Sequence, residues 1–208
     1  MIRLDVEPGS LAWLEARMAI PTASNFGRIL TPKTMRISAQ AETYRNELLS
    51  EWLLGEPFSG DITEFMQRGT ELEPDAIAWY EMQRDADVSP PGFLLTDDRR
   101  YGATPDGLIG TEGGLEIKCP SAAVHVGYLL DMESDKYKAQ VQGGLLVSER
   151  DWWDLVSYHP TLPSVVVRVY RDEAFIEALR GVLTAFCDQL DAAKEYLQSR
   201  GIMPAMAT

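Results

Sequence analysis

Leu115-Glu116-Ile117-Lys118 alternates apolar and charged residues, after the turn Thr104-Pro105-Asp106-Gly107 and before Cys119-Pro120. Strand side chains alternate faces, so a strand here sends Ile117 into a core and Glu116 with Lys118 to the opposite side. The Thr-Pro-Asp-Gly turn can fold back until Asp106 meets Glu116. Two carboxylates then offer oxygen ligands to a hard cation, Mg²⁺, and the lysine beside them can orient a water or a phosphate. An isolated Glu-x-Lys is ordinarily an exposed pair on a strand. The Pro-Asp-Gly turn at workable distance is what favours a site.

The chain has 208 residues, 45% of them hydrophobic, with five Trp, enough for one large domain with a substantial core. A single domain over residues 1–208 is expected, with N-terminal helices over 9–82, a catalytic sheet and helices over 92–170, and a closing helix over 172–199. No apolar run approaches the ~20 residues of a membrane span, and the N-terminus lacks the apolar core of a signal peptide. No membrane association and a cytoplasmic location are expected. Cys119 and Cys187 lack Cys-x-x-Cys companions and read as free thiols. The net charge of −13 is uneven: residues 1–45 carry a local +2 and the remainder −15. That distribution suits an enzyme gripping DNA locally, and it equally suits an acidic DNA mimic.

The pattern predicts helices over 9–17 and 40–54, and another over about 61–82. Thr22 and Ser24 offer N-caps to a short helix through Ile29. Strands are expected at Gly92–Thr96 and Arg100–Ala103, joined by an Asp97-Asp98 turn, and at 115–118, Trp152–Tyr158 and Val165–Tyr170. Helices over Asp135–Val147 and 172–199 complete an α/β chain with a central mixed sheet.

Three further features bear on chemistry. Glu73 lies on the helix ahead of the sheet, where a surface charge is the ordinary reading. Gln140 and Gln142, two apart on one helix, do not share a face, so at most one reaches the site, and Gln140 is favoured. Trp13-x-x-x-Arg17, followed by Thr22-Ala23-Ser24, sets a guanidinium beside a helix start and a hydroxyl. That combination suits a phosphate. His125 and His159 have no partner histidine at metal spacing and read as structural or surface residues.

In this order, W-x-x-x-R…T-A-S, Gly69-x-x-x-Glu73, T-P-D-G, L-E-I-K-C-P and Ala139-Gln140-Val141-Gln142 resemble the lambda-exonuclease (YqaJ-type) viral recombinase family over roughly residues 8–190. The resemblance implies the restriction-endonuclease-like core of the PD-(D/E)xK nucleases and a 5′-to-3′ exonuclease of double-stranded DNA ends. Such an enzyme releases mononucleotides and leaves a 3′ overhang. Asp106, Glu116 and the Ile117 carbonyl would ligate one or two Mg²⁺, with Mn²⁺ substituting. Lys118 would position and help deprotonate the attacking water. Glu73 would support the metal site, Gln140 would hold the nucleophile or scissile phosphate, and Arg17 with Ser24 would receive the 5′-terminal phosphate. Tyr137 matches a residue near the active site. Asp97 or Asp98 would supply an additional acid, and Met66 an apolar wedge at the terminal base pair. A homotrimeric ring and a single-strand-annealing partner are also implied. An endonuclease or repair nuclease on the same core remains an alternative, although its iron–sulfur branch requires four cysteines.

Overall fold

The alternating apolar residues around Glu116 become the middle of a five-stranded sheet, and helices cover both of its faces. The computed structural model describes the backbone of residues 1–57, 64–131 and 134–205, with their side chains other than those of 64–66, 134 and 135. The chain begins with β1 (Ile2–Leu4), α1 (Leu11–Arg17), a 3-10 turn (Ala23–Asn25), α2 (Phe26–Ile29) and a hairpin of β2 (Leu30–Thr31) and β3 (Arg36–Ile37). The helices α3 (Ala41–Leu54) and α4 (Glu64–Arg84) follow. Next come β4 (Val88–Ser89), β5 (Phe93–Leu95), β6 (Gly102–Ala103), β7 (Gly107–Ile109) and β8 (Gly113–Lys118). Beyond β8 lie α5 (Ala122–Leu130), a 3-10 turn (Ser134–Tyr137) and α6 (Lys138–Ser148), then β9 (Trp152–Ser157), β10 (Val165–Tyr170) and α7 (Glu173–Ser199).

The main sheet has the order β10-β9-β8-β7-β4, with β8 and β9 parallel and the other pairs antiparallel. Parallel neighbours need a crossover, and α5 with α6 supplies it. A second sheet, β1-β5-β6, lies beside it. Alternation divides the core in two. Leu115, Ile117 and Val156 pack with Ala76 and Tyr80 of α4. Trp153 and Leu155 pack on the other face with Leu145 of α6 and Leu179 and Leu183 of α7. Gly143 and Gly144 permit that second approach. A Cβ on Gly143 would come within 2.4 Å of Phe26, and one on Gly144 within 2.4 Å of Trp153.

Caps place the helix ends. The Ser10 hydroxyl accepts from the Trp13 N–H at 3.2 Å, and Asp172 accepts from the Phe175 N–H at 3.1 Å. α3 stops at Gly55, whose left-handed φ of 67° suits a residue without Cβ.

The mixed α/β sheet flanked by helices is as expected, with three local differences. The helix over Ala122–Leu130 was not expected: Ala-Ala-Val-His-Val-Gly-Tyr-Leu-Leu is nearly all apolar, and a short apolar run does not by itself separate helix from strand. The strands Ile2–Leu4, Val88–Ser89 and Gly107–Ile109 and the hairpin at 30–37 are too short to show alternation. The segment through Ile29 is a 3-10 turn followed by one helical turn; Thr22 holds the N-cap position of the turn without a side-chain cap bond, and Ser24 lies inside it. Residues 61–63 of the expected 61–82 helix fall outside the described residues.

Candidate active site

Strand alternation on β8 sends Glu116 and Lys118 to one side, and their side chains meet at 2.6 Å from Lys118 Nζ to Glu116 Oε1. Ile117 points the other way into the α4 core, 7% exposed. The Thr-Pro-Asp-Gly turn folds back as anticipated. The Asp106 N–H donates to the Leu115 carbonyl at 3.0 Å, and the Ile117 N–H donates to Asp106 Oδ2 at 2.5 Å. In a strand the N–H and C=O of one residue share an edge, so the Ile117 carbonyl lies on the same edge as Asp106.

Gln140 reaches this centre from the first turn of α6, its Nε2 donating to Glu116 Oε1 at 2.5 Å. Gln142 turns away and is structural: it donates to the Tyr170 carbonyl at 2.8 Å and accepts from the Asp172 N–H at 2.9 Å. Glu73 comes from α4. Burial raises the pKa of its carboxyl, with the Glu116 charge adding and Lys118 opposing, so it lies within electrostatic reach of both. Burial also raises Asp106 well above the usual carboxylate range, and the charges of Glu116 and Glu73 add to the effect. Burial works against charge on Lys118, but Glu116 and Asp106 beside it raise its pKa overall. Lys118 is therefore a held cation.

The centre thus combines crowded carboxylates with one ammonium, an all-oxygen donor set of the kind hard divalent cations take. Among the described residues no three His, Cys, Asp or Glu side chains close around one point. The fitting ligands are Asp106 and Glu116 together with the Ile117 carbonyl edge.

A second cluster forms from the N-terminal segment. The Arg17 guanidinium lies 4.1 Å from the centroid of the Trp13 ring and 3.5 Å from Thr22 Oγ1, which in turn lies 3.3 Å from Ser24 Oγ. Burial lowers the Arg17 pKa, with Tyr44 and the Glu51 carboxylate opposing. A shielded guanidinium beside two hydroxyls is an arrangement whose chemistry suits an anion. It is tied to the carboxylate centre. Trp13 Nε1 donates to Thr104 Oγ1 at 3.1 Å, and the Gly102 N–H donates to the Pro21 carbonyl at 3.0 Å. Thr104 stands two residues before Asp106.

The remaining expected residues divide. Tyr137 is at the site, its ring centroid 5.1 Å from Lys118 Nζ. Asp97 and Asp98 are not. Both line a cavity with Leu146 and Val147, at the end of α6 opposite Gln140, so neither is the additional acid at this centre. Asp98 accepts from Thr96 Oγ1 at 2.6 Å and from the Arg100 N–H at 3.1 Å, as a turn residue does. The Met66 side chain falls outside the described residues. His125 is wholly buried between Ser157 Oγ at 2.7 Å and the Pro163 carbonyl at 2.9 Å, the structural role expected. Tyr128 was missed: its hydroxyl lies 2.9 Å from that of Tyr137. Only the unrecognised helix α5 brings it there.

Fold and site together define an α/β protein with an acid–acid–lysine centre at the carboxyl end of a parallel strand pair. The model of the YqaJ-like viral recombinase domain matches residues 12–151, and the chain belongs to that family. The alkaline exonuclease LHK-Exo of Laribacter hongkongensis is 32% identical, with a TM-score of 0.84 over 92% of this chain and 98% of that one. A second structure, LHK-Exo in complex with dAMP, gives 0.83 at the same identity and coverage. A phage-related exonuclease from Haemophilus somnus 129PT shares the fold at 15% identity, with a TM-score of 0.67 over 84% and 96% of the two chains. Curated proteins gave no match.

Proposed function

We propose that the chain is a Mg²⁺-dependent 5′-to-3′ exonuclease. It digests one strand of linear double-stranded DNA to mononucleotides and leaves a 3′ overhang for recombination by strand annealing. One observation carries the reading: the Trp13–Thr104 hydrogen bond joins an anion cradle to a carboxylate–lysine centre. Family membership and the 32% identity to an alkaline exonuclease support it.

Asp106, Glu116 and the Ile117 carbonyl would hold one or two Mg²⁺, with Mn²⁺ able to substitute. The metal supplies an activated water and charge neutralisation on the phosphate. Lys118, as a cation, holds the water or a phosphate oxygen in line. Gln140, already bonded to Glu116, shares in orienting that ligand. Glu73 adds negative charge that favours the metal. Arg17, Thr22 and Ser24 take the terminal 5′-phosphate. A homotrimeric ring around the duplex, a single-strand-annealing partner and a cytoplasmic setting belong to the same reading. Among the described residues no helix is long and apolar enough to cross a membrane.

Incubation with Mg²⁺ of linear 5′-phosphorylated duplex beside a covalently closed circle tests the proposal. Mononucleotides should appear from the linear DNA alone and stop on chelation. Cutting of the circle would make the chain an endonuclease, and no cutting of either would return the acidic mimic.

Arg17→Ala should weaken the preference for 5′-phosphorylated over 5′-hydroxyl ends by at least ~10-fold. Loss of one charge-assisted contact is worth ~1.5–3 kcal/mol. Steady-state rates on the two ends measure this, and an unchanged ratio would place the terminal phosphate elsewhere.

The crowded carboxylates also link stability to pH. Asp106 and Glu73 have folded-state pKa values above their unfolded ones. The folded state therefore binds more protons, and this contribution to stability falls as pH climbs from the unfolded value of ~4 through the raised ones. Bound Mg²⁺ offsets that loss. The Tm increment on adding Mg²⁺, at matched ionic strength, should be larger at pH 8 than at pH 5. Equal increments would mean that these carboxylates do not meet the metal.

A further inference from the structure

Lys136 is an exposed lysine in a chain with 32 Asp and Glu against 19 Lys and Arg, yet it makes no ion pair among the described residues. It is instead seated on two phenols. Its Nζ donates to Tyr128 Oη at 3.3 Å and lies 5.1 Å from the Tyr137 ring centroid and 6.0 Å from that of Tyr128. The two hydroxyls are 2.9 Å apart, so each ring fixes the other. The Tyr137 ring has a second ammonium at the same 5.1 Å, that of Lys118. Two cations thus share one aromatic ring at the edge of the centre, and of the two Lys118 alone has a carboxylate partner among the described residues.

The backbone adds to the same field. α6 begins one residue past Tyr137, directly after the 3-10 turn and with no side-chain cap, so the positive end of an 11-residue helix lies beside Lys136. Hydrogen bonds from Lys136 to Tyr128 and Tyr137 raise its pKa, which keeps it charged. Holding a lysine still costs side-chain entropy. A cation ordered on phenols beside a phosphate-cutting centre, and matched to no acid among the described residues, is complementary to an anion that arrives with the substrate.

We propose that Lys136, seated on the Tyr128–Tyr137 phenol pair, binds a backbone phosphate of the strand being cut, the one immediately inward of the scissile bond. The inference rests on the exonuclease reading. There the terminal phosphate goes to the Arg17 cradle and the scissile one to Asp106, Glu116 and Lys118, which leaves the inward phosphate as the next charge on that strand. Tyr128 positions Lys136 through its hydroxyl, and Tyr137 supplies the ring between the two ammonium groups.

The test compares DNA binding by Glu116→Gln and by Glu116→Gln/Lys136→Gln, so that the duplex stays uncut. A 5′-phosphorylated duplex is titrated from low to moderate salt. Removing one phosphate contact should reduce the slope of log K against log[salt] by about 0.9, with binding about 5–10-fold weaker near physiological salt. Lys136→Arg in the same background should restore the slope. A neutral methylphosphonate at the inward position should weaken binding by the protein that retains Lys136 and leave the double variant nearly unaffected. Equal slopes and equal methylphosphonate sensitivity in the two proteins would overturn the subsite while leaving the nuclease reading intact. If neither protein binds duplex and the unmodified chain cuts none, the nuclease reading falls and the subsite with it.

Discussion

Glu116→Gln should lower mononucleotide release by about 10³-fold, on the order of 4 kcal/mol of transition-state stabilisation. Glu116 is the meeting point of the site: Lys118 and Gln140 both bond its Oε1, and its charge raises both Asp106 and Glu73. Glutamine keeps the shape and an acceptor oxygen for Lys118 and removes the charge a divalent cation needs. It also relieves Asp106 of a buried like charge. The metal-free variant should therefore melt within a few degrees of the parent. Turnover at saturating DNA and Mg²⁺, with Tm recorded alongside, gives both readings. Lys118→Ala should show a comparable loss. If either variant turns over at the parent rate, the mechanism proposed for this centre is wrong.

Asp154→Ala should be among the most destabilising single changes in the described structure, at roughly 2–4 kcal/mol. Asp154 is wholly buried on β9, opposite Leu115 in the parallel register. It accepts from Tyr80 Oη at 2.6 Å and from Arg168 Nε and Nη2 at 2.8 and 2.9 Å, which ties α4, β9 and β10 together. Removing it strands the Tyr80 hydroxyl in the core. Arg168 suffers less, because its side chain is 41% exposed and stacks over Trp152 at 3.6 Å, so the full buried-pair figure does not apply. For a chain of this length the loss corresponds to a Tm fall of about 5–15 °C. Arg168→Met, which leaves the Asp154 carboxylate buried with Tyr80 as its remaining partner, should cost at least as much. A much smaller loss for Arg168→Met in thermal melts would mean that the Tyr80 hydroxyl alone satisfies the buried carboxylate.

The centre was legible wherever its geometry follows from local periodicity. Alternation in Glu116-Ile117-Lys118 dictates which side chains meet, and the helical period separates Gln140 from Gln142. The Pro-Asp-Gly turn has few ways to fold other than back on β8. What escaped depends on long-range packing. Nothing local marks Ala122–Leu130 as a helix, and without that helix Tyr128 has no reason to lie near Tyr137. The Trp13–Thr104 bond joins residues 91 apart in sequence. Asp97 and Asp98 illustrate the converse, since the family's pattern of an acid ahead of the Pro-Asp-Gly turn suggested a role that their place beside Leu146 and Val147 denies them. Short strands such as Val88–Ser89 exist because β7 offers an edge, not because two residues carry a pattern.

In the proposed reading the Trp13–Thr104 clasp turns end recognition into a gauge. One of its partners stacks on Arg17, and the other stands two residues from Asp106. The span from cradle to carboxylate centre is therefore set by this bond together with the Gly102–Pro21 backbone bond. In the proposed reading that span measures one phosphate-to-phosphate step, so each cut regenerates the end that the next cut requires. Trp13→Phe, which keeps the ring and loses the indole N–H, should loosen the gauge and broaden the product from single nucleotides toward short oligonucleotides.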